Sequence, residues 1–565
     1  MAAEQPIPVY TNLSDLYGSL GTSLNHAEKW NSVAEEFQRR FGRTPAYIAR
    51  APGRLKLELA LILITVGEHI DYCLFGVLPA AIERDILIAI GRRPNALAED
   101  APGSVVAENM QKKYTRQVFA PAPRRRASVS EDEVRLEEWQ LDINTKELRW
   151  ESYVKAGYYG VLINYFSGGG NPAPVDILVT GTVPAGSGLS SSAAMVVGST
   201  LAFLAINGKI SKSQLVEMAV ANEKRVGVNS GGMDQAASVI SVPSSALYIS
   251  FFPELSASAV PLPPGAVFII ANSLVVSDKA VTAKRNYNLR VVETLVAARV
   301  LARHLELKVG NTERITLREV VGRLAGEVEE VGEMPVEWLL ETLKRMEREI
   351  EHLKPPNSDI SSEAQLGVTM EEMIAMSGLT AEEFQDVYLS WVEVEATHFQ
   401  LYKRAKHVFS EASRVLQYRR VCLAAESLPS SSPMDVLKEL GQLMDESQTS
   451  CNELFECSCP ELNQLTQIAK DAGSIGSRLT GAGWGGCTVS LVAEDNVDSF
   501  IEKVSATYGP YKGLQGEALD EVIFATKPSS GACVIWNIFL KIGVLWVLWR
   551  CGFGDAYSES LVAPN

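Results

Sequence analysis

The sequence predicts an α+β protein with more than one domain. Residues 175–179 form a short apolar and largely β-branched run, as is typical of a strand, and residues 268–273 are also predicted to form a strand. Residues 300–425 instead space Glu, Lys and Arg between Leu, Val and Ala, a helical pattern in which no candidate chemistry is visible. At 565 residues the chain is long enough for roughly two to four domains.

The composition restricts the class of partner. Hydrophobic residues make up 46% of the chain and charged residues 21%, which is ordinary for a globular protein. The formal net charge of −16 argues against a general surface for nucleic acid or anionic membrane, but it is compatible with a local basic pocket for a nucleotide. The eight scattered cysteines suggest a reducing compartment, and residues 1–10 lack a signal-peptide pattern. These features predict a cytoplasmic protein.

Residues 1–44 are predicted to be a polar lead-in followed by an amphipathic helix. Trp30, Val33, Phe37 and Phe41 recur every three or four residues, with charges between them. One face of this helix is therefore apolar.

A cluster of ionisable residues follows. Glu68, His69 and Asp71 place two carboxylates and an imidazole within four positions. Such a cluster is costly to bury without partners, so it is either a solvated turn or a site for a polar ligand. Farther along, residues 121–133 contain prolines, an arginine run and an acidic run, and they are predicted to be an exposed, charge-segregated loop.

Residues 175–204 combine a strand, a Gly/Ser-rich turn and a helix. Pro184, Gly186 and Gly188 interrupt regular structure, and Ser190 to Ser192 are favourable N-cap residues. Backbone N–H groups at the positive end of a helix form an anion site, most naturally for phosphate. A plain strand-turn-helix connection explains the glycines equally well.

A further helix, predicted over residues 209–230, ends at a glycine turn. Asp234 follows Gly231 and Gly232, whose backbone freedom allows the turn to hold the carboxylate rigidly. This Asp either accepts or orients a substrate hydroxyl, or is simply a turn residue. Glu223, eleven residues earlier, is a candidate magnesium ligand.

A third glycine-rich stretch lies at residues 476–489. Four glycines within six positions lead into a β-branched run, which predicts a tight loop followed by a strand. Such a loop implies a close backbone approach to either a ligand or a neighbouring strand.

Three of these stretches resemble the motifs of the GHMP small-molecule kinases, in the order of that family. They are residues 51–54 with 67–72, residues 184–194, and residues 476–489. The first stretch and residues 228–238 look like galactokinases, and residues 268–273 with 286–293 are similar to the fungal members. The resemblance covers about residues 5–531. It implies ATP-dependent phosphorylation of the anomeric hydroxyl of D-galactose to α-D-galactose 1-phosphate.

The resemblance also implies a two-domain GHMP kinase fold. The first domain, residues 45–262, would be ribosomal-protein-S5-domain-2-like and would contain the sugar site and the phosphate loop. The second, residues 263–531, would be a ferredoxin-like α/β domain that covers them. Residues 1–44 would precede the first domain, and residues 532–565 would form an apolar tail.

The same resemblance implies a role for each candidate residue. The implied sugar-binding residues are Arg54, Glu68, His69, Asp71, Asp234 and Tyr287. The implied ATP-binding residues are Trp150, Pro184, Gly186, Ser187, Gly188, Leu189, Ser190, Ser191 and Ser192. Asp234 would accept or orient the anomeric hydroxyl, and Arg54 would offset charge on the transferring phosphoryl group. Ser192 and Glu223 would hold Mg²⁺, whereas core packing explains Trp150 equally well.

Two segments depart from the family pattern. Twelve mostly aliphatic residues, 55–66, stand where the family has four, and the family's Asn is absent. Loops normally lie on the surface, and an aliphatic segment is poorly suited to contact with solvent. The insert therefore favours a gene-model or splicing artefact over a real variation. The Trp-rich tail at 532–565 is barely long enough to span a bilayer, and a read-through artefact or a packed terminal strand is favoured over a membrane anchor.

Two alternatives to a galactokinase are left open. N-acetylgalactosamine kinases share all three motifs and a segment like residues 457–462. Some fungal relatives are galactose- and ATP-dependent sensors that bind a transcriptional repressor, and they lack part of the serine string that is complete at residues 190–194. The predicted partners are therefore a small-molecule sugar and, for a bifunctional protein, a repressor, but neither nucleic acid nor a membrane.

Overall fold

The computed structural model describes residues 4–17, 20–52, 66–94, 101–125, 137–144, 149–167, 170–182, 191–207, 211–226, 232–276, 282–327, 334–355, 367–427 and 432–536. The strands are β1 (Val9–Tyr10), β2 (Tyr47–Pro52), β3 (Asp85–Arg92), β4 (Val105–Asn109), β5 (Gln117–Phe119), β6 (Ala122–Arg125), β7 (Glu137–Gln140), β8 (Val175–Gly181), β9 (Ser245–Ser250), β10 (Ser256–Pro261), β11 (Ala266–Asn272), β12 (Gly476–Thr480), β13 (Cys487–Ala493), β14 (Ile523–Thr526) and β15 (Cys533–Trp536). The helices are α1 (Leu13–Tyr17), α2 (Leu20–Phe41), α3 (Trp150–Phe166), α4 (Ser191–Asn207), α5 (Lys212–Glu223), α6 (Met233–Ile240), α7 (Tyr287–His304), α8 (Leu317–Ala325), α9 (Val336–Glu349), α10 (Met370–Ser377), α11 (Ala381–Phe384), α12 (Leu401–Ser427), α13 (Pro433–Glu453), α14 (Pro460–Asp471), α15 (Val497–Thr507) and α16 (Glu517–Asp520).

A mixed sheet organises the first half of the protein. Its strand order within the described segments is β1-β15-β2-β3-β8-β4-β5, with β2, β3 and β8 antiparallel and β4 parallel to β8. Helix α2 covers one face, where Trp30, Val33 and Phe37 are fully buried against Ile48 and Leu87. Helix α4 packs against β2 and β3 on the other face. Because both faces are covered, β3 is apolar and buried over most of its length.

An antiparallel sheet organises the second half. Its order is β12-β13-β11-β14 in the part of the chain that the structure describes. Helices α14 and α15 cover one face through a core that includes Ile269, Leu465 and Phe500. Helix α13 packs against β12, and α12 packs against α7 and α13. Through these helices, residues from the second half of the chain contact residues of the first half at the candidate site.

The structure confirms the α+β class and most of the predicted elements, and it corrects two of them. The helix predicted over residues 209–230 is shorter, because α5 ends at Glu223 and a 3-10 turn, Lys224–Val226, follows. Residues 121–133 are predicted to form a loop, but Ala122–Arg125 form β6, which pairs antiparallel with β7, and residues 126–133 lie outside the described residues. Cross-strand pairing therefore gives local order to a proline- and arginine-rich segment.

The apolar tail begins as a strand of the first sheet. Cys533 to Trp536 form β15, which pairs antiparallel with β2 and parallel with β1. The remainder of the tail, residues 537–565, and residues 53–65, which include nearly all of the insert, lie outside the described residues. Among the helices that are described, none has the length and apolar character needed to cross a bilayer.

Candidate active site

The ionisable cluster predicted at residues 68–71 is a buried turn and not a solvated one. Glu68, His69 and Asp71 are each at most 2% exposed. The turn is closed by backbone hydrogen bonds, among them one from Leu74 N to Asp71 O, and His69 has a positive φ of 63°. We call residues 67–72 the 67–72 loop. Its burial means that its polar groups need partners elsewhere in the protein.

The third glycine-rich stretch supplies two of those partners. Gly481 N donates to Glu68 Oε1 at 2.8 Å, and His69 Nε2 donates to Ala482 O at 2.9 Å. Because the carbonyl can only accept, the proton of the neutral imidazole lies on Nε2, and Nδ1 is left to accept from the Tyr72 hydroxyl at 3.3 Å. The glycine-rich stretch therefore fixes both the position and the tautomer of His69.

A glycine at residue 483 is required by a close backbone approach. Gly483 has a φ of 80°, and a Cβ at this position would lie 1.8 Å from Cys457 O. The next residue, Trp484, donates its backbone N–H to the same carbonyl at 2.6 Å. Its indole lies edge-on to the His69 ring, with centroids 5.7 Å apart. Here the close approach is to a neighbouring backbone segment, and it places the aromatic ring beside the 67–72 loop.

Helix α12 supplies the other partners, which sequence reasoning missed. Glu411 Oε1 accepts from Gly67 N at 2.7 Å, and His407 Nε2 donates to Glu68 O at 3.0 Å. The sequence does contain a signal for these partners, which is a set of polar residues at helical spacing along one face of α12. The set consists of Arg404, His407, Glu411 and Arg414, and all four are buried. Buried polar groups on one helix face indicate a specific set of partners across that face.

A buried arginine links the two carboxylates beneath the loop. Arg478 lies 3.5 Å from Glu68 Oε1 and 3.6 Å from Glu411 Oε1. Burial raises the pKa of Glu68 to about 8, although Arg478 and the Gly481 amide oppose the rise. Burial alone would also raise the pKa of Glu411, but Arg414 and Arg478 hold it well below its usual range. The contrast arises because Arg414 Nε also donates to Glu411, at 2.7 Å.

The two imidazoles beside the loop are held neutral. Burial lowers the pKa of His69 to about 3 and that of His407 to about 4. His407 also accepts a hydrogen bond at Nδ1 from the Ser450 hydroxyl, at 2.9 Å. Both rings pack against Phe455 with centroid separations of 4.5 Å, the His69 ring stacked and the His407 ring tilted. These histidines therefore act as fixed hydrogen-bonding groups at neutral pH.

Tyr287 joins the same cluster from the first residue of α7. Its ring centroid lies 6.0 Å from that of His69 and 5.6 Å from that of Tyr72. Burial and then the charge of Asp71 raise the pKa of Tyr287 well above its usual range, so its hydroxyl stays protonated. The structure thus brings Tyr287, which is distant in the chain, to the predicted cluster of Glu68, His69 and Asp71.

Asp234 and Glu223 lie on two helices of the first half that contact each other, α6 and α5. Asp234 is fully buried in the first turn of α6, two residues after the N-cap Gly232, whose φ is 94°. The adjacent Gln235 donates from Nε2 to the carboxylate of Glu223, which is also fully buried. The same helix meets the end of β2, where the Ser238 hydroxyl donates to Pro52 O at 3.1 Å. Strand β2 leads to Arg54, which lies outside the described residues.

The predicted phosphate loop is described only at its C-terminal end. Helix α4 begins at Ser191, as the serine string predicts, whereas residues 183–190 lie outside the described residues. Trp150 opens α3, and its ring lies 6.2 Å from that of Tyr114. Helices α3 and α4 pack against each other. The first turn of α4 therefore presents backbone N–H groups where the sequence predicts an anion site.

Comparisons with known proteins agree with this architecture. Residues 152–241 match the model of the GHMP kinases N terminal domain, and residues 434–509 match that of the GHMP kinases C terminal domain. These two matches define the class as a GHMP kinase. Residues 35–92, which contain the 67–72 loop, match the galactokinase galactose-binding signature.

Curated relatives narrow the class further. The chain is 35% identical to a galactokinase of Dictyostelium discoideum, over 93% of this chain and 97% of that protein. It is also 35% identical to a galactokinase of Saccharomyces cerevisiae, over 90% and 95% of the two chains. In fold it is similar to Lactococcus lactis galactokinase complexed with galactose, with a TM-score of 0.59, 22% identity and coverage of 89% and 99%. The chain belongs to the galactokinase family.

Proposed function

We propose that this protein catalyses the ATP-dependent phosphorylation of D-galactose at its anomeric hydroxyl, which yields α-D-galactose 1-phosphate and opens galactose catabolism. The observation that carries the proposal is the convergence of Glu68, His69, Asp71 and Tyr287 within and against the segment that matches a galactose-binding signature. A sugar offers several hydroxyl groups, and a buried set of carboxylate, imidazole and phenol groups is suited to bind them by paired hydrogen bonds.

Each group of the 67–72 loop has a defined capacity for the sugar. The Asp71 carboxylate would accept hydrogen bonds from hydroxyl groups when ionised, and the protonated Tyr287 hydroxyl can donate. Glu68, whose pKa is raised to about 8, is mostly protonated at neutral pH, so it can donate one hydrogen bond as well as accept. His69 already uses Nε2 to donate to Ala482 O and Nδ1 to accept from Tyr72. Because both ring nitrogens already have partners in the protein, we propose that His69 shapes the sugar pocket through its ring, in addition to the sugar contact that the family resemblance implies.

Asp234 is the proposed acceptor of the anomeric proton. In the transfer, the anomeric oxygen would form a bond to the γ-phosphorus of ATP while the bond from that phosphorus to the ADP oxygen breaks. The hydroxyl proton would pass to Asp234, and Arg54 would offset charge on the transferring group. Full burial of Asp234 in the first turn of α6 supports this role, because a rigid base loses little energy to reorganisation.

The nucleotide would bind at the start of α4. Its phosphates would lie on the backbone amides of the turn that includes Pro184, Gly186, Ser187, Gly188, Leu189, Ser190, Ser191 and Ser192, and Trp150 would lie near the adenine. The donor set for Mg²⁺ fits that ion, because the Glu223 carboxylate and the Ser192 hydroxyl offer the oxygen ligands that it prefers. When bound, Mg²⁺ would neutralise charge on the phosphates.

The alternative specificities have less support. The relatives compared above are all called galactokinases, so they favour galactose over N-acetylgalactosamine and catalysis over a sensor role. A cytoplasmic location and a repressor partner stay predictions from the sequence.

The experiment is a measurement of ADP release by the purified chain with magnesium-ATP and galactose, N-acetylgalactosamine or no sugar. We expect release that depends on galactose, which would also show that the insert at 55–66 is tolerated. Release with N-acetylgalactosamine alone would contradict the assigned substrate. An absence of sugar-dependent release in a folded sample would contradict the proposed activity.

A further inference from the structure

Three metal-ligating side chains meet on the surface of the second half. They are His304, Glu349 and His352, and their ligand atoms all lie within 4.8 Å of one another. The imidazole rings of His304 and His352 stack with centroids 3.5 Å apart, and His304 Nε2 lies 3.3 Å from Glu349 Oε2. Because His304 ends the helix that Tyr287 begins, the cluster is about 25 Å from the proposed sugar site.

Rigid elements hold the three side chains. His304 is the last residue of α7, Glu349 is the last residue of α9, and His352 lies in the 3-10 turn, Ile350–Leu353, that follows. The turn is anchored by the side chains of Ile350 and Leu353, which are at most 1% exposed. The ligands therefore need side-chain rotation, and not backbone movement, to approach a common point.

The electrostatic setting favours a cation. Two helices, α7 and α9, end at this cluster, and the C-terminal end of a helix carries partial negative charge. Glu349 adds a full negative charge. Arg345 Nε lies 3.5 Å from Glu349 Oε1, but it approaches that oxygen only, so Oε2 faces His304.

We propose that His304, Glu349 and His352 form a three-ligand site for a borderline divalent transition-metal ion, with Zn²⁺ as the best match. Two imidazoles and one carboxylate suit Zn²⁺, which would bind in tetrahedral geometry with water as the fourth ligand. Mg²⁺ and Ca²⁺ prefer all-oxygen sites. The bound ion would fasten the end of α7 to the end of α9. This site does not depend on the proposed kinase activity.

The test uses the full chain without a histidine tag and without ATP, which itself binds metal ions. Zn²⁺ is titrated by calorimetry into the wild type and into the His304→Ala and His352→Ala variants. The matched control is His398→Ala, which removes an exposed histidine that contacts Thr397. We expect each of the two cluster variants to weaken Zn²⁺ binding at least about tenfold and the control to leave it unchanged.

Two further measurements separate metal binding from folding. Thermal melts without metal establish that the variants are folded, and His304→Gln keeps the polar bulk of the side chain while removing the imidazole. Zn²⁺ should raise the melting temperature of the wild type and of His398→Ala, but not that of the cluster variants. Equal Zn²⁺ affinity in all the proteins, the absence of Zn²⁺ binding by the wild type, or an equal rise with Mg²⁺ would overturn the proposal. Galactose-dependent ADP release should be unchanged in the cluster variants, so failure of either proposal can be recognised separately.

Discussion

The two parts of the proposed active site are held in place in different ways. The 67–72 loop is fastened by residues far away in sequence, since Gly67 bonds to Glu411, 344 positions on, and His69 bonds to Ala482, 413 positions on. Asp234 instead sits beside Gln235, which bonds to Glu223 only 12 positions away. The sugar-binding loop is therefore fixed by residues of the second half of the chain, whereas the Gln235–Glu223 contact beside Asp234 joins α5 and α6, two helices that follow each other in the sequence.

Substitution of Asp234 should have the largest effect on turnover and only a small effect on folding. Asp234→Asn preserves the size of the side chain but removes its capacity to accept a proton, so we expect kcat to fall about 100- to 10,000-fold. The check is a comparison of turnover with that of Asp386→Asn, which alters an exposed carboxylate. Unchanged turnover in Asp234→Asn would remove this residue from the mechanism.

The sugar-binding side should respond to a change in the other half of the protein. Glu411→Ala leaves Arg414 and Arg478 as buried charges with too few partners, and it removes the acceptor of Gly67 N. We expect the free energy of unfolding to fall by about 3–5 kcal/mol and the KM for galactose to rise. Urea unfolding and initial rates test both effects, with exposed Glu426→Ala on the same helix as the control. A loss of stability with an unchanged KM would show that Glu411 supports the fold without positioning the loop.

Two glycines between β12 and β13, Gly483 and Gly486, test how closely the two halves of the chain must fit around the 67–72 loop. Gly483→Ala places a methyl group against Cys457 O, whereas the methyl group of Gly486→Ala meets no atom of the described residues within 4 Å, and both glycines have positive φ. We expect Gly483→Ala to lower the free energy of unfolding by about 3 kcal/mol or more, because strain and steric overlap add. Gly486→Ala should cost about 1–2 kcal/mol. Equal destabilisation, measured by urea unfolding, would mean that the close approach at Gly483 is relieved by movement of the 457 backbone.

The smallest expected effect is a dependence of stability on pH. The pKa of His407 is about 4 in the folded protein, below its ordinary value of 6.5, so the unfolded chain binds the proton first as the pH falls. Stability is therefore lost through the window from about pH 6.5 to 4, and this histidine contributes about 2 kcal/mol of the loss by pH 5. His407→Gln should have a shallower loss between pH 7 and pH 5 than the wild type or His398→Gln. Parallel curves for all three proteins would contradict the neutral state assigned to His407.

The sequence predicts local features of the site well and its long-range contacts poorly. The glycine turn before Asp234 and the helix that starts at Ser191 follow from side chains within a few positions, and both were confirmed. No local pattern states that Ala482 fixes the tautomer of His69, because that contact depends on how the two halves pack. The buried stripe on α12 was open to detection, since His407 and Glu411 lie four positions apart on one face. Its hydrogen-bonding partners on the 67–72 loop could not be identified from the sequence.

Strand β15 determines when the sheet of the first half can be completed during synthesis. It lies between β1 and β2 in the sheet of the first half, yet its residues are 533–536. During synthesis, the first sheet has a gap between those two strands until residues 533–536 have left the ribosome. The sheet whose other strands are translated first is therefore completed after the sheet of the second half, and chains cut short before residue 533 should expose the edges of β1 and β2 to pairing with other molecules.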